Sequence, residues 1–203
     1  MKDVLKFILK NSIIFAIVSF VFSIIGAFFP ESEFTVVIGN PLVVSGVTYE
    51  HVLGHIFWGA IIGLGTLSIR YIILGGSFAI FLDSDHLLQF LDIELVSRMS
   101  HSIPFAVIAT VVFFVITRGK DIRISAVAFG AVLSHIAFDI FLADVTFGSP
   151  TDFPLFSPFT FETVSLQGLD WLVIQIVGVS LVAITSYFYK RKESKLKNNL
   201  TKT

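Results

Sequence analysis

The chain has 203 residues, of which 55% are hydrophobic and 14% are charged, and its mean hydropathy is +0.88. Because soluble domains carry about 25% charged residues, this composition excludes an ordinary soluble domain and predicts a polytopic membrane protein. The formal net charge of −1 gives no indication of a nucleic-acid partner, and the lack of cysteine excludes disulfides, thiol catalysis and thiolate metal sites.

Apolar segments long enough to cross a bilayer of about 30 Å recur along the chain. The first, residues 7–29, has a basic flank like that of a signal peptide, but it spans about 23 residues and lacks a small-residue cleavage site, so we interpret it as a retained helix. Residues 30–50 contain two β-branched runs around Gly39-Asn40-Pro41, which predict a short β-hairpin on the outer membrane surface. The apolar run 52–90 is too long for one helix and is interrupted at Arg70, so it predicts two spans.

The predicted fold is therefore all-α, a membrane-embedded bundle of about six transmembrane helices with a short β-hairpin on the outer face. We assign residues 1–190 to a single transmembrane domain and residues 191–203 to a basic cytoplasmic tail. The predicted spans are 7–29, 52–69, 71–91, 101–117, 124–145 and 169–189.

Charge asymmetry predicts the orientation of these spans. If both termini are cytoplasmic, every one of the 14 Lys and Arg residues except Arg98 falls in a cytoplasmic segment. This agrees with the excess of positive charge in the cytoplasmic loops of membrane proteins. We therefore expect a multi-pass protein of the inner or plasma membrane with both termini in the cytoplasm.

Histidines and aspartates converge on one level of the predicted bundle. At about 1.5 Å per residue, Asp83 lies roughly 18 Å along its helix and His135 roughly 16 Å along its own, both measured from the cytoplasmic side. An unpaired Asp near the centre of a membrane helix costs about 2.5–3.5 kcal/mol on insertion scales, and shared coordination of a cation removes that cost. The sequence therefore predicts a metal site toward the outer face, with eight candidate ligands from four helices: His51, His55, Asp83, Asp85, His86, His101, His135 and Asp139.

The spacing of these residues fits metal ligands. His51 and His55 form an i, i+4 pair, as do His135 and Asp139, which puts each pair on one helix face, as in the H-E-x-x-H zinc helices. The carboxylates of the "DSD" stretch add oxygens that can bridge two cations. Imidazole and carboxylate ligands suit a divalent metal, with Zn²⁺ first and Mn²⁺ or Fe²⁺ as alternatives, and the number of ligands allows one or two ions.

Four positions near the predicted site have a second interpretation. His51, next to Glu50, is either a ligand or an ordinary residue of the membrane interface. His101 is either a ligand or part of a helix cap. Asp85 is either a ligand or a partner that orients a histidine. Arg98 is either an ordinary loop charge or a group that holds a phosphate.

Four short stretches in this region, "FLDSDH", "SRMSHS", "LSHIAFD" and "FPLFSPF", resemble the YdjM-like family of inner-membrane proteins predicted to be metal-dependent hydrolases. That family shows an early His followed by glycine in a helix, then D-x-D-H, T/S-H-S and S-H-x-x-x-D boxes and an aromatic-proline segment. The resemblance covers residues 51–160. It departs from the family where Ser97, rather than a histidine, precedes Arg98, and His51 has no clear counterpart. The matching positions are His55 with Gly59, residues 83–86, residues 100–102, Ser134-His135 with Asp139, and residues 154–159.

The resemblance and the spacing together imply a role for each residue. His86 is expected to act as a further ligand or a proton shuttle, and Arg98 to steady a phosphate group. The expected metal ligands are His55, Asp83, Asp85, His101, His135 and Asp139.

The expected function is that of a membrane-embedded metal-dependent hydrolase that cleaves a phosphoester at the outer face. A membrane lipid is the expected substrate, because the cluster lies slightly below the headgroup layer. Residues 144–162, rich in phenylalanine and proline, are expected to cover part of the cluster.

Two alternatives remain open at this point. One is an intramembrane zinc amidase that resembles ceramidases and adiponectin receptors. The other is a non-enzymatic metal-binding membrane protein, either a transporter or a subunit of a larger complex. A transport path should leave polar residues in the cytoplasmic half of the bundle, where the sequence has little beyond Ser and Thr.

Overall fold

The computed structural model describes residues 2–26, 28, 35–36, 48–91, 95–96 and 98–200. These residues form six α-helices, one at each predicted position, so the mainly helical fold is confirmed. Two small antiparallel sheets accompany them, β1 with β2 and β3 with β4. In chain order the elements are α1 Lys2–Gly26, β1 Thr35–Val36, α2 Tyr49–Leu64, α3 Ile69–Phe81, a 3-10 helix Leu82–Leu91, β2 Leu95–Val96, α4 Ile103–Ile116, α5 Ile122–Phe147, β3 Thr151–Phe153, β4 Val164–Leu166 and α6 Asp170–Leu200.

Three helices, α1, α5 and α6, are long and apolar enough to cross a membrane. On α1, the outward face exposes an aliphatic side chain at nearly every turn, which would be unfavourable in water and is suited to lipid. Helices α2, α3 and α4 have 16, 13 and 14 residues, fewer than the ~20 that a helix needs to span a bilayer. Their crossing of the membrane therefore stays a prediction. The exposed residues on α1 are Leu5, Leu9, Ile13, Ile17, Val21 and Ile25.

Two local details differ from the sequence predictions. The span expected over 71–91 is α-helical only to Phe81 and then continues as a 3-10 helix, because Asp83 adopts φ −77° and ψ 18°, outside the helical region. Short polar side chains favour such departures because they compete for backbone hydrogen bonds. Strand β1 pairs with β2, from beyond the 3-10 helix, with Thr35 opposite Val96. The hairpin turn expected at Gly39-Asn40-Pro41 lies outside the described residues.

Helix α5 lies at the centre of the bundle. In its most apolar stretch 72% of the residues are buried, compared with 33% in α1 and 22% in α6. Gly130 illustrates how closely its neighbours approach: a Cβ at this position would lie 2.7 Å from Ile62 of α2 and 3.2 Å from Val182 of α6. A polar side chain on α5 can therefore meet partners from several helices.

Glycines allow α2 and α3 to pack backbone against backbone. A Cβ at Gly75 of α3 would overlap the carbonyl oxygen of Gly59, and a Cβ at Gly63 would overlap the carbonyl oxygen of Tyr71. This close approach fixes the start of α2, which carries His51 and His55, beside the end of α3, where Asp83 follows.

A network of charged and aromatic side chains joins the helices near the start of α5. Asp121 caps α5 and accepts hydrogen bonds from Tyr71 Oη and from Arg123, whose Nε lies 2.8 Å from its Oδ1. Burial alone would raise the pKa of Asp121, but these hydrogen bonds and the Arg123 charge lower it, so the carboxylate remains ionised. Lys190 Nζ of α6 donates to the carbonyl of Thr66 at 3.0 Å. Arg70 of α3 also contacts Asp121, with its Nη2 3.5 Å from Oδ2, so basic side chains from three helices lie at this end of the bundle.

We expect residue 149 to face outward and the helix α6 tail to face the cytoplasm. A cysteine introduced at Ser149 into this cysteine-free chain should react with a membrane-impermeant thiol reagent on intact cells, whereas one at Ser194 should react only after lysis. The reverse pattern would invert the orientation and move the histidine cluster to the cytoplasmic side.

Gly75→Ala should weaken the α2–α3 contact, because the added methyl group meets backbone that cannot move aside. We expect the free energy of unfolding in detergent to fall by about 1–3 kcal/mol. Gly178→Ala is the matched control: its nearest neighbour is Ile62 Cδ1 at 2.9 Å, the end of a flexible side chain. The control should be neutral or slightly stabilising, because Ala favours a helix over Gly by about 1 kcal/mol. Equal stability of the two variants would contradict this account of the packing.

Candidate metal centre

Side chains from four parts of the fold converge on one polar cluster inside the bundle. They come from the start of α2, the 3-10 helix after α3, the residue before the N-cap of α4, and the middle of α5. His55 and His135 are fully buried, and His101 is 2% exposed. The members of the cluster are His51, His55, Asp83, His86, His101, His135 and Asp139.

Helix ends bring three of these groups to a common level. Thr48 caps α2 by accepting a hydrogen bond from the His51 N–H, which sets His51 in the first turn. Ser102 caps α4 by accepting from the Phe105 N–H, which places His101 immediately before the cap. Asp83 lies where α3 gives way to the 3-10 helix. His135 and Asp139, one turn apart on α5, complete the cluster from the centre of the bundle.

Asp83 is the centre of the cluster, because each histidine of the chain lies near one of its carboxylate oxygens. Its Oδ2 is 3.3 Å from His51 Nε2 and 3.5 Å from His55 Nε2. Its Oδ1 is 3.2 Å from His135 Nε2. The same oxygen is 3.4 Å from His101 Nε2 and 3.6 Å from His86 Nε2.

Two pairs of imidazole nitrogens face each other in the cluster. His51 Nε2 lies 2.8 Å from His55 Nε2, and His101 Nε2 lies 2.9 Å from His135 Nε2. A neutral imidazole has one N–H, so such a pair shares at most one hydrogen bond unless a ring is charged. Carboxylate oxygens crowd the same nitrogens, so the cluster holds more acceptors than neutral rings can satisfy. A cation among them would satisfy several at once.

The orientation of His135 favours metal binding. Its Nδ1 lies 2.8 Å from the carbonyl oxygen of Ala79, and because a carbonyl can only accept, Nδ1 carries the proton. In the neutral ring, Nε2 then directs a lone pair into the cluster, toward Asp83 Oδ1 and toward Asp139 Oδ2 at 3.5 Å. A histidine held through one nitrogen by a backbone carbonyl is the usual arrangement of a metal ligand.

Among the described residues, no Lys or Arg side chain pairs with the carboxylate of Asp83 or Asp139. Every ion pair there that involves Asp83 or Asp139 is with a histidine. Their side chains are only 9% and 12% exposed, and buried carboxylates need compensating charge. Three groups of donor atoms could hold an ion, and within each group the atoms lie within 4.8 Å of one another. The groups are His51, His55 and Asp83; His55, His135 and Asp139; and Asp83, His101 and His135.

The remaining predicted site residues have different outcomes. His86 reaches the cluster through Asp83, and its buried Nδ1 has no hydrogen-bond partner among the described residues. Arg98 adopts a left-handed conformation with φ 47°, and its carbonyl accepts a hydrogen bond from the His101 N–H. Its phosphate-binding role stays a prediction. The side chain of Asp85 lies outside the described part of the structure.

Two aromatic rings lie against the cluster: Phe138, which sequence reasoning missed, and Phe153, which belongs to the segment 144–162 that was expected to cover part of it. Phe138 packs edge-on against His55 with ring centroids 4.7 Å apart, in space that a side chain at Gly54 would fill. Phe153 of β3 is fully buried, and its ring centroid lies 6.4 Å from that of His101. Strand β3 therefore contacts the cluster through Phe153. The glycine between the two histidines of "HVLGH" was the available signal for Phe138.

A cavity of about 780 Å³ lies away from this cluster, between the α4–α5 turn and α6. Its lining combines apolar groups such as Phe114 and Phe188 with the cations Arg118, Lys120 and Lys192. Its described lining contains no histidine and no set of carboxylates that could hold a metal, so the chemistry points to the cluster.

No protein-family model, curated protein or solved structure matches the chain. The resemblance to the YdjM-like family therefore rests on the four sequence stretches alone. The geometry of the cluster supports metal binding independently of that resemblance.

His135→Ala should lower the affinity for metal at least about tenfold, and so reduce the metal that the purified protein retains, because changes that only reorient a ligand already cost 10–100-fold in affinity. Elemental analysis after dialysis against a weak chelator measures this. Ser125→Ala is the control, since it removes a buried hydroxyl from the same helix about 15 Å away along the axis. Unchanged metal content in His135→Ala would remove this residue from the ligand set.

Proposed function

We propose that the protein is a membrane-embedded, metal-dependent hydrolase that cleaves a phosphoester of a lipid presented by the membrane. The observation that supports it is the convergence of imidazole nitrogens and two buried carboxylates from separate parts of the chain, without a Lys or Arg partner among the described residues. Hydrophobic packing gives no reason to gather such groups. A divalent cation does, and Zn²⁺ is our first choice for this mixture of ligands.

The donor set exceeds what a closed structural zinc site uses. Structural zinc takes four protein ligands, whereas a catalytic ion keeps a position for water or substrate. When bound at such a site, a divalent metal lowers the pKa of a coordinated water toward about 7 and polarises the substrate's phosphoryl group. The surplus of donors leaves groups that can serve the reaction itself.

The residues of the cluster differ in their exposure to solvent. His55 and His135, both without solvent exposure, suit the role of fixed ligands. His51, His86 and Asp139 have side chains 15%, 11% and 12% exposed, so they form the accessible side of the cluster. Substrate would approach from that side. We assign to His86, whose side chain is partly exposed and whose Nε2 lies 3.6 Å from Asp83 Oδ1, the role of taking a proton from the attacking water and returning it to the leaving oxygen.

A phosphoester is preferred to an amide for two reasons. The resemblance to the YdjM-like family favours a hydrolase, and the metal-binding helix pair H-x-x-x-D on α5 is similar to that of zinc-dependent phospholipases C. Arg98, the one basic residue outside the cytoplasmic segments, is suited to steady a phosphate near His101. An outward-facing cluster below the headgroup layer favours a phospholipid or an isoprenoid phosphate.

His86→Ala should reduce kcat by about 10²–10⁴-fold, the usual contribution of a general acid or base, while metal content stays near that of the wild type. The assay measures phosphate or alcohol release from phospholipids and isoprenoid phosphates by protein purified in detergent and loaded with Zn²⁺ or Mn²⁺. Ser125→Ala should retain full activity. A chelator should abolish the activity of the wild type. Release of fatty acid from ceramide instead would favour the amidase. Failure of the metal-loaded protein to hydrolyse either class would contradict the proposal.

A further inference from the structure

The two carboxylate oxygens of Asp83 face different pairs of histidines. Oδ2 lies 3.3 Å from His51 Nε2 and 3.5 Å from His55 Nε2. Oδ1 lies 3.4 Å from His101 Nε2 and 3.2 Å from His135 Nε2. Asp83 therefore stands between two half-sites, each with two imidazole nitrogens that lie within 3 Å of each other.

The two carboxylate oxygens of Asp139, on α5, also face different pairs of histidines. Its Oδ1 is 3.3 Å from His55 Nε2, in the first half-site. Its Oδ2 is 3.5 Å from His135 Nε2 and 3.9 Å from His101 Nε2, in the second half-site. Both carboxylates thus direct one oxygen to each pair of histidines.

One ion cannot use all of these donors. Ligands of a single Zn²⁺ lie about 2.0–2.2 Å from it, so they lie within about 4.4 Å of one another. Donor atoms that lie within 4.8 Å of one another form three groups. His51 shares a group with neither His101 nor His135. A single ion held by His55, His135 and Asp139 would use one ring of each pair and leave His51 and His101 without a metal.

We propose that the cluster is a dinuclear centre in which Asp83 and Asp139 bridge two divalent ions, one held by His51 and His55 and the other by His101 and His135. Each ion then has two nitrogen and two oxygen donors from the protein, and water or substrate would take a fifth position, a coordination number that catalytic zinc can reach. This assigns His51, which has no counterpart in the family pattern, as a full ligand. The inference rests on the metal-binding part of the proposed function and does not depend on catalysis.

The spacing of the half-sites fits two neighbouring ions. The rings of His55 and His135, one from each half-site, stack in parallel with centroids 3.8 Å apart and planes 6° apart. Both direct Nε2 to the same Asp139 carboxylate. Ions bound in the two ring planes would be separated by roughly the same distance, and two-metal hydrolytic sites have separations of about 3.5–4 Å.

A dinuclear centre also favours an anionic substrate. Two divalent ions carry four positive charges, and two bridging carboxylates cancel two of them, so the described groups leave a net charge of about +2. That charge attracts a phosphoester monoanion or dianion more strongly than a neutral amide. Two ions can also stabilise both the attacking and the leaving oxygen of an in-line displacement.

The test is metal stoichiometry together with the electron paramagnetic resonance spectrum of Mn²⁺-loaded protein. Wild-type protein should bind about two ions per chain and show the exchange-coupled spectrum of carboxylate-bridged Mn²⁺ pairs. His51→Ala should bind about one ion and show an uncoupled six-line spectrum. Asp83→Asn should lose the coupling and most of the metal, whereas Ser125→Ala should match the wild type.

These readouts need no turnover, so they separate this inference from the hydrolase proposal. One ion per chain in the wild type, with no coupling, would overturn the dinuclear centre even if the protein hydrolyses phosphoesters. Two coupled ions in a protein without hydrolytic activity would support the dinuclear centre and contradict the hydrolase proposal. If His51→Ala does not fold, His51→Gln and the wild-type spectrum still decide the outcome.

Discussion

Burial of two carboxylates in an apolar helical bundle is the constraint on which the rest of this structure depends. Asp83 and Asp139 lose most of their contact with water, and the described residues offer them imidazoles rather than Lys or Arg. An imidazole can compensate such a charge in two ways, by carrying a proton or by sharing a metal ion. The facing pairs of Nε2 atoms favour the metal, because a neutral pair shares at most one hydrogen bond, which leaves the neighbouring carboxylate oxygens short of donors.

The bundle meets this constraint by bringing the ends of three helices to the central helix α5. The first turn of α2, the end of α3 and the start of α4 meet α5 near its middle, so three short helices present polar groups where their backbones end. The glycine contact between Gly59 and Gly75 brings the ends of α2 and α3 close together. Small residues along α5, such as Gly130, let its neighbours approach, so that Asp139 reaches both half-sites and the His135 ring stacks on that of His55.

Sequence alone predicted the level of the cluster but not its internal geometry. Rise per residue placed Asp83 and His135 at a common depth because helices convert sequence separation into distance. The direction of each carboxylate oxygen depends on side-chain rotamers and on the unusual φ and ψ of Asp83, which no spacing encodes. The sequence also does not predict which backbone groups contact the site. The carbonyl that accepts a hydrogen bond from His135 Nδ1 belongs to Ala79, an ordinary apolar residue. His51 was ambiguous because a histidine beside Glu50 also suits a membrane interface.

The two ends of the bundle compensate buried acids in different ways, and the difference carries the functional argument. At the start of α5, Asp121 pairs with Arg123 and Arg70 and accepts from Tyr71, so protein donors already occupy both of its oxygens and leave none for a metal. At the level of His135, the same helix presents Asp139 to imidazoles whose charge depends on protons and ions. Arginine would have sufficed for structure at both ends. Histidine at only one of them indicates that this end is built to exchange protons or to bind metal.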